Sequence, residues 1–228
     1  MNISEIFVSR QGEGFLVGTN SVFLRTSGCN LRCSFCDTPF TSWNPDGKNV
    51  PQKDVVFQVL SYEVEHVVIT GGEPMLAPEI ESLTQQLAKH HKHLTIETAG
   101  TIYREVACDL MSISPKLSNS TPSVERAGAW AQRHEKTRIQ LDVLRQLIAR
   151  FPYQLKFVVA EPHDREEIEL LLAQIGNVDR DRVLLMPEGI DVPTLKAREE
   201  WLKPLAEAAG FSFCPRQHIE WYGNRRGT

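Results

Sequence analysis

The sequence contains no apolar run of the roughly 18 residues that a membrane-spanning helix needs. Its start, MNISEIFVSRQGEG, lacks the basic-then-apolar layout of a signal peptide. A soluble, cytoplasmic chain with no membrane partner is therefore expected. Positive charge is not in excess: 25 basic against 29 acidic side chains leave a net charge of -4, which offers no broad cationic face to a nucleic-acid backbone. A polynucleotide substrate is thereby disfavoured. Cysteine is sparse, and the five present form an odd set with three inside eight residues. That pattern suits a metal site in a reducing compartment better than a disulfide framework. Cys108 and Cys214 stand alone and read as small buried thiols.

What remains is ordinary globular material, 41% hydrophobic and 24% charged, enough for a sizeable core. A single domain over residues 1–228 is expected, with no internal repeat or low-complexity linker. Short apolar runs recur after the N-terminal stretch, at Ser21–Thr26, His66–Thr70, Leu94–Glu97, Leu110–Ser114, Leu155–Val159, Val183–Met186 and Phe211–Phe213. Their length and their β-branched or aromatic content predict buried strands. Between several of them the period is helical: Ile80, Leu83, Leu87; Ile139, Val143, Leu147; Ile168, Leu171, Leu172, Ile175. Pro51–Asp54 and Ser118–Ser123 read as surface connections. Alternating strands and helices predict an α/β fold with a mainly parallel sheet, and six or seven strands are too few for a closed eight-unit barrel. An open, partial (β/α) barrel and a doubly wound sheet both remain compatible with the pattern. In either, reactive residues belong just past the strand C-termini.

Cys29, Cys33 and Cys36 lie there, close enough in one loop to share a single cubane. Three thiolates leave one iron without a cysteine, and an open iron can bind substrate or cofactor directly, unlike the four-cysteine clusters of electron transfer. The same residues also admit a Cys3His zinc site completed by His66 or a later histidine, or three thiols on one helical face. Zinc motifs more often come as two separated ligand pairs. Thr70-Gly71-Gly72-Glu73-Pro74 directly follows an apolar strand. Two glycines let a ligand approach the backbone, and a nearby carboxylate accepts from an ammonium group; alone, the pair would read as a tight turn. The HHKH run at His90–His93 has metal-ligand composition but closes a helix, where cations complement the dipole, and reads as a solvated end.

The run CNLRCSFC, Cys29 to Cys36, resembles the CxxxCxxC signature of radical S-adenosylmethionine (SAM) enzymes. The resemblance implies a partial (β/α) barrel of the radical SAM type and a [4Fe–4S] cluster on Cys29, Cys33 and Cys36. It further implies SAM chelated on the open iron and cleaved to a 5′-deoxyadenosyl radical that takes hydrogen from the substrate. Phe35 matches the aromatic residue packed near the adenine, and GGEP the stretch that holds the SAM amino group. Glu97, in ETAG, would lie near the SAM ribose or serve as a strand-end cap.

Four further stretches are similar to the 7-carboxy-7-deazaguanine synthase family: Gln11-Gly12-Glu13-Gly14, Cys36-Asp37-Thr38, Ser114-Pro115-Lys116, and PRQHIEWYGNRRGT from Pro215. The likeness spans essentially the whole chain. It implies a lyase acting on 6-carboxy-5,6,7,8-tetrahydropterin, contracted to a deazapurine with loss of ammonia on the way to queuosine. Substrate contacts would be Gln11, Gly12, Glu13, Arg25 and Thr70, with His218 and the terminal carboxylate of Thr228. SAM would touch Phe35, Cys36, Asp37, Gly72, Ser114, Pro115 and Lys116. Thr38 would be a Mg2+ ligand, the ion being shared with the substrate carboxylate. No side chain is assigned as catalytic, since the radical chemistry is the cofactor's. A homodimer and an electron donor such as flavodoxin or ferredoxin are implied as well.

Plainer roles fit some of the same residues. Arg25, inside a strand, also suits an ion pair with a core carboxylate. Thr38 before Pro39 suits a turn, and Lys116 an exposed cation. Ala99 stands where many relatives carry Asn. A glycyl-radical activase is the other enzyme reading, but it has no reason to carry QGEG. An iron–sulfur electron carrier or a zinc-stabilised module would leave TGGEP and SPK unexplained.

Overall fold

The computed structural model describes residues 1–228. In chain order the elements are β1 (Asn2–Arg10), β2 (Asn20–Thr26), α1 (Pro39–Ser42), β3 (Lys48–Asn49), α2 (Gln52–Ser61), β4 (His66–Gly71), α3 (Ile80–Lys89), β5 (His93–Thr98) and β6 (Leu110–Ile113). There follow α4 (Val124–Ala127), α5 (Ala129–Thr137), α6 (Leu141–Arg150), β7 (Tyr153–Val159), α7 (Asp164–Ile175), β8 (Val183–Pro187), α8 (Val192–Ala208), β9 (Ser212–Phe213) and α9 (Gln217–Tyr222).

All seven apolar runs form strands. They join one nine-stranded sheet in the order β3-β1-β2-β4-β5-β6-β7-β8-β9. From β2 to β9 every pairing is parallel, while β1 is antiparallel to both β2 and β3. Among the parallel strands, from β2 to β9, the order follows the chain without reversing, which excludes a doubly wound sheet, and the two edge strands do not pair, which excludes a closed barrel. The fold is an open, partial (β/α) barrel. The N-terminal stretch adds a strand that no apolar run marks: β1 is held by its ladder with β2, and Phe7 stacks on Phe23 at 5.4 Å.

Side chains alternate across each strand. One set, including Val22, Leu24, Ile69, Ile96, Ile113, Leu155 and Phe157, is fully buried in the continuous core under the helices. Removing each such aliphatic side chain from water contributes about 1.5–3 kcal/mol. The opposite set is largely polar: Arg25, Thr70, Glu97, Ser112, Gln154 and Lys156. It faces the concave side of the barrel, and the site is built there.

Two expected surface connections prove structured. Gln52–Asp54 opens α2 with Pro51 at its N-cap, because burial of Val55 and Val59 outweighs the weak helix propensity of β-branched residues. Ser118–Ser120 forms a 3-10 turn whose Ser120 is fully buried, its hydroxyl donating to Leu117 O at 2.6 Å.

Candidate active site

The loop leaving β2 carries the three cysteines, and all three line one cavity of about 180 Å³. None is in a disulfide. Burial pushes the Cys29 thiol up to about 12 and the Cys33 thiol to about 11, so without metal both remain protonated and metal loading must release protons. No three His, Cys, Asp or Glu side chains converge where a single ion would sit. Three thiols spread around one cavity suit a cubane, whose irons stand apart, better than one zinc ion.

The structure also rejects His66 as a fourth ligand. His66 pairs with Ser21 at the start of β2, five residues from the end that feeds the loop, or roughly 16 Å at about 3.3 Å per residue. It packs instead against His93, ring centroids 4.5 Å apart. His134 sits closer, but both its nitrogens are engaged. Nδ1 accepts from the Arg32 backbone N–H at 3.0 Å, which leaves Nε2 to donate to Ser120 Oγ at 3.0 Å. Burial pushes the ring down to about 4, keeping it neutral in this role. His134 is thus a fixed brace for the cysteine loop, as is Trp43, whose indole N–H donates to Cys33 O at 3.1 Å.

The glycines of TGGEP serve the loop before any ligand. A Cβ on Gly71 would lie 2.2 Å from Thr26 O, and one on Gly72 would lie 2.1 Å from Gly28 O. They let the end of β4 press against the start of the cysteine loop, where the Glu73 N–H donates to Gly28 O at 2.9 Å. Glu73 is itself withdrawn, 1% exposed, accepting from Thr98 Oγ1 and from the backbone of Ala99 and Met75. Gly72 lines the cavity; Glu73 does not. The carboxylate is therefore a structural cap here and not an acceptor for an ammonium group.

A second, more polar cavity of about 380 Å³ adjoins the first and shares Glu13, Asp37, Thr38, Thr70, Gly71 and Glu97 with it. Gln11, Gly12, Arg25, His218 and Thr228 also line it. The seven residues expected at substrate thus share one cavity. Of those expected at SAM, Phe35, Cys36, Asp37, Gly72, Ser114 and Lys116 line the first; Pro115 is buried and lines neither. Lys116 is not a free surface cation, since its ammonium donates to Ser114 Oγ at 2.7 Å. Thr38 forms the N-cap of α1, and its carbonyl accepts from Thr41 N–H at 2.9 Å.

A chain of alternating charges crosses between the cavities. Asp37 accepts from Arg216, Arg216 Nε reaches Glu13 at 3.2 Å, Lys156 Nζ lies 2.7 Å from the other Glu13 oxygen, and 3.6 Å further is Glu97. Glu97 also accepts from Thr70 Oγ1 at 2.8 Å and Gln11 Nε2 at 3.2 Å. Burial alone would raise the Glu13 carboxyl, but Lys156 and Arg216 more than reverse this and hold it well below the usual carboxylate range. Lys156 and Arg216 are 3% and 8% exposed, and both are held charged by these carboxylates although burial opposes it. Arg25 does have an ion-pair partner, Glu5 at 2.8 Å, shared with Arg226 at 3.5 Å.

Lys156 and Gln154 belong to no motif, and Arg216 lies in the C-terminal stretch without a role that its sequence assigns. Gln154 donates to Ser112 Oγ and accepts from Phe15 N–H, fixing the turn after QGEG. A signal existed in the strand pattern, where Gln154 and Lys156 alternate with Leu155 and Phe157. Gly12 has a packing role too: a Cβ there would lie 2.5 Å from His218, so its absence admits the C-terminal segment, whose Gln217 N–H donates to Gly12 O.

An open parallel barrel with a three-cysteine loop at its strand C-termini defines the radical SAM class, and the radical SAM superfamily model matches residues 23–117. The fold is similar to that of QueE from Escherichia coli, with TM-score 0.68 at 24% identity over 95% of this chain and 94% of that one. Streptococcus suis SuiB bound to SAM is a more distant likeness, TM-score 0.56 at 18% identity over 82% of this chain and 48% of that one. In sequence, the 7-carboxy-7-deazaguanine synthase of Rhodopirellula baltica is 48% identical, covering 99% of this chain and 88% of the relative. The synthase of Halobacterium salinarum is 47% identical over 99% and 92%. The chain belongs to the 7-carboxy-7-deazaguanine synthase family of radical SAM enzymes. No helix in it is long and apolar enough to cross a membrane.

Proposed function

We propose that the chain converts 6-carboxy-5,6,7,8-tetrahydropterin to 7-carboxy-7-deazaguanine with loss of ammonia. The observation that carries the reading is the convergence of QGEG, Arg25, Thr70 and the C-terminal segment on one polar cavity beside the three cysteines. When bound, the [4Fe–4S] cluster and SAM supply a one-electron cleavage that starts hydrogen abstraction. Cys29, Cys33 and Cys36 hold the cluster. Phe35, Asp37, Gly72, Ser114 and Lys116 form the surroundings of SAM.

The protein's own part is recognition and exclusion of water. Glu13, kept ionised, accepts from the amino and amide N–H groups of the pterin edge, while Gln11 and Thr70 fix its plane through Glu97. Arg25 meets the substrate carboxylate by exchanging part of its pairing with Glu5, which retains Arg226. Thr38 would hold a Mg2+ through its hydroxyl, and the ion would supply positive charge to neutralise that carboxylate. A homodimer and a one-electron protein donor complete the working enzyme. Anaerobic reconstitution, followed by incubation with SAM, reductant and the tetrahydropterin, should yield the carboxydeazaguanine and ammonia, with SAM regenerated. Net consumption of one SAM per product would overturn the catalytic use of SAM, and absence of the deazapurine would overturn the reaction.

A further inference from the structure

We propose that Arg226 is a positioning residue that holds the C-terminal segment over the polar cavity, and that Glu5 passes from Arg25 to Arg226 when the substrate carboxylate engages Arg25. The anchor needs no ligand; the transfer of Glu5 rests on the substrate reading above.

Helix α9 ends at Gly223, whose φ of 73° lies in the left-handed region and turns the chain out of the helix. Gly223, Asn224, Arg225, Arg226 and Thr228 then line the polar cavity. This part of the wall has one point of attachment. Of residues 224–228, only Arg226 hydrogen-bonds to a distant part of the chain. Its Nη1 donates to Asp46 Oδ2 at 2.7 Å and its Nη2 to Ser4 Oγ at 3.3 Å, while Ser4 Oγ donates to the other Asp46 oxygen at 2.9 Å. The guanidinium carbon lies 3.9 Å from the centre of the Phe40 ring. One exposed ion pair would hold the segment weakly, but here a carboxylate, a hydroxyl and an aromatic face all engage one planar cation.

The partners of Arg226 tie this wall to the substrate's own contacts. Phe40 belongs to α1, which Thr38 caps, and Glu5 on β1 is the partner of Arg25. Glu5 Oε1 lies 2.8 Å from Arg25 Nε, and Oε2 lies 3.5 Å from Arg226 Nε. One carboxylate thus stands between a cation that meets substrate and a cation on the C-terminal wall, hydrogen-bonded to the first and short of a hydrogen bond to the second. A substrate carboxylate that takes up donors of Arg25 leaves the charge of Glu5 less compensated. Glu5 then closes on Arg226, and the wall tightens around the molecule that caused the change.

The first measurement uses the reconstituted enzyme without substrate and follows, by intact mass, the rate at which trypsin cuts after Arg225. Asp46→Asn keeps the segment's own sequence and should speed this cut roughly threefold or more. Arg150→Ala, which breaks an exposed pair with Glu105 away from both cavities, should not. Equal rates in the two variants would overturn the anchor. The second measurement is the calorimetric affinity for 6-carboxy-5,6,7,8-tetrahydropterin. Arg226→Ala should weaken it roughly fivefold and raise KM more than it lowers kcat, with SAM affinity and cluster absorption as in the parent. Loss of SAM affinity or of the cluster would make Arg226 a general structural residue and overturn its positioning role. In a Glu5→Gln background the same substitution should cost roughly twofold or less, because the two residues act through one contact. Equal losses in the two backgrounds would overturn the transfer of Glu5. Failure of the parent to bind the tetrahydropterin would overturn the substrate reading and the transfer with it, whereas the trypsin comparison decides the anchor without any ligand.

Discussion

Lys156 Nζ lies 2.7 Å from Glu13 Oε2, joining the middle of β7 to the N-terminal QGEG turn across 143 residues of chain. The pair brings a buried cation to a carboxylate that would otherwise be neutralised by burial. Relative to its ordinary value of 4.5, the Glu13 carboxyl is lowered. Its charge therefore adds stability above that value, which is lost as the pH falls through the lower folded value.

Lys156→Met leaves desolvation opposed only by Arg216 and His218, so the carboxyl should rise. The variant should melt lower, since breaking a buried pair costs about 3–5 kcal/mol. Its affinity for the tetrahydropterin should also fall as the pH is lowered from about 8 to about 5.5, whereas the parent should show no such dependence from Glu13. Calorimetric titration across that range decides it. A flat profile in the variant would mean that Arg216 alone keeps Glu13 charged.

Cys33→Ala leaves two thiols on the cavity, too few to hold a cubane. Anaerobic reconstitution should give protein without the broad absorption near ~400 nm and without SAM cleavage. Full iron content and activity would refute the assignment of the loop. Zinc in place of iron, in parent protein purified without oxygen, would favour a binding module.

Arg25→Ala removes a charge-assisted contact worth roughly 1.5–3 kcal/mol. Substrate should bind more weakly by that amount while slow, uncoupled SAM cleavage persists. Because Arg226 also reaches Glu5, the vacated carboxylate keeps a cation and the fold should survive. Loss of the cluster or of folding in this variant would make Arg25 a structural partner of Glu5 alone.

For Thr38 the expectation concerns the metal. Turnover should rise on adding Mg2+ with little change in SAM affinity, since one hydroxyl cannot hold the ion until the substrate carboxylate arrives. Thr38→Ala should lose much of that response and Thr38→Ser should keep part of it. Equal activity with and without Mg2+ in both variants would remove the ion from the site.

Chain order and local chemistry were enough to specify the strands, the parallel sheet, the cysteine loop and the motifs at strand C-termini. Each of these is written in contiguous residues: apolar runs of strand length, thiols seven residues apart from first to last, glycines before Glu73. The N-terminal strand was not legible in that way, because β1 owes its form to the ladder with β2 and not to an apolar run.

Tertiary structure decided three matters that residue pattern could not. It selected the open barrel, which the resemblance had implied, over the doubly wound sheet that periodicity left open, since strand order is a property of pairing and not of periodicity. It turned Glu73 from a candidate ligand into a buried cap, because which groups a carboxylate meets depends on the neighbouring strand end. And it assembled Asp37, Arg216, Glu13, Lys156 and Glu97, drawn from across the chain, into one ionic row. The sequence marks Lys156 only as a charge inside an apolar strand. Its meaning comes from the carboxylates that close on it when the sheet curves, for a cation buried at 3% exposure is stable only where the fold supplies its counter-charges.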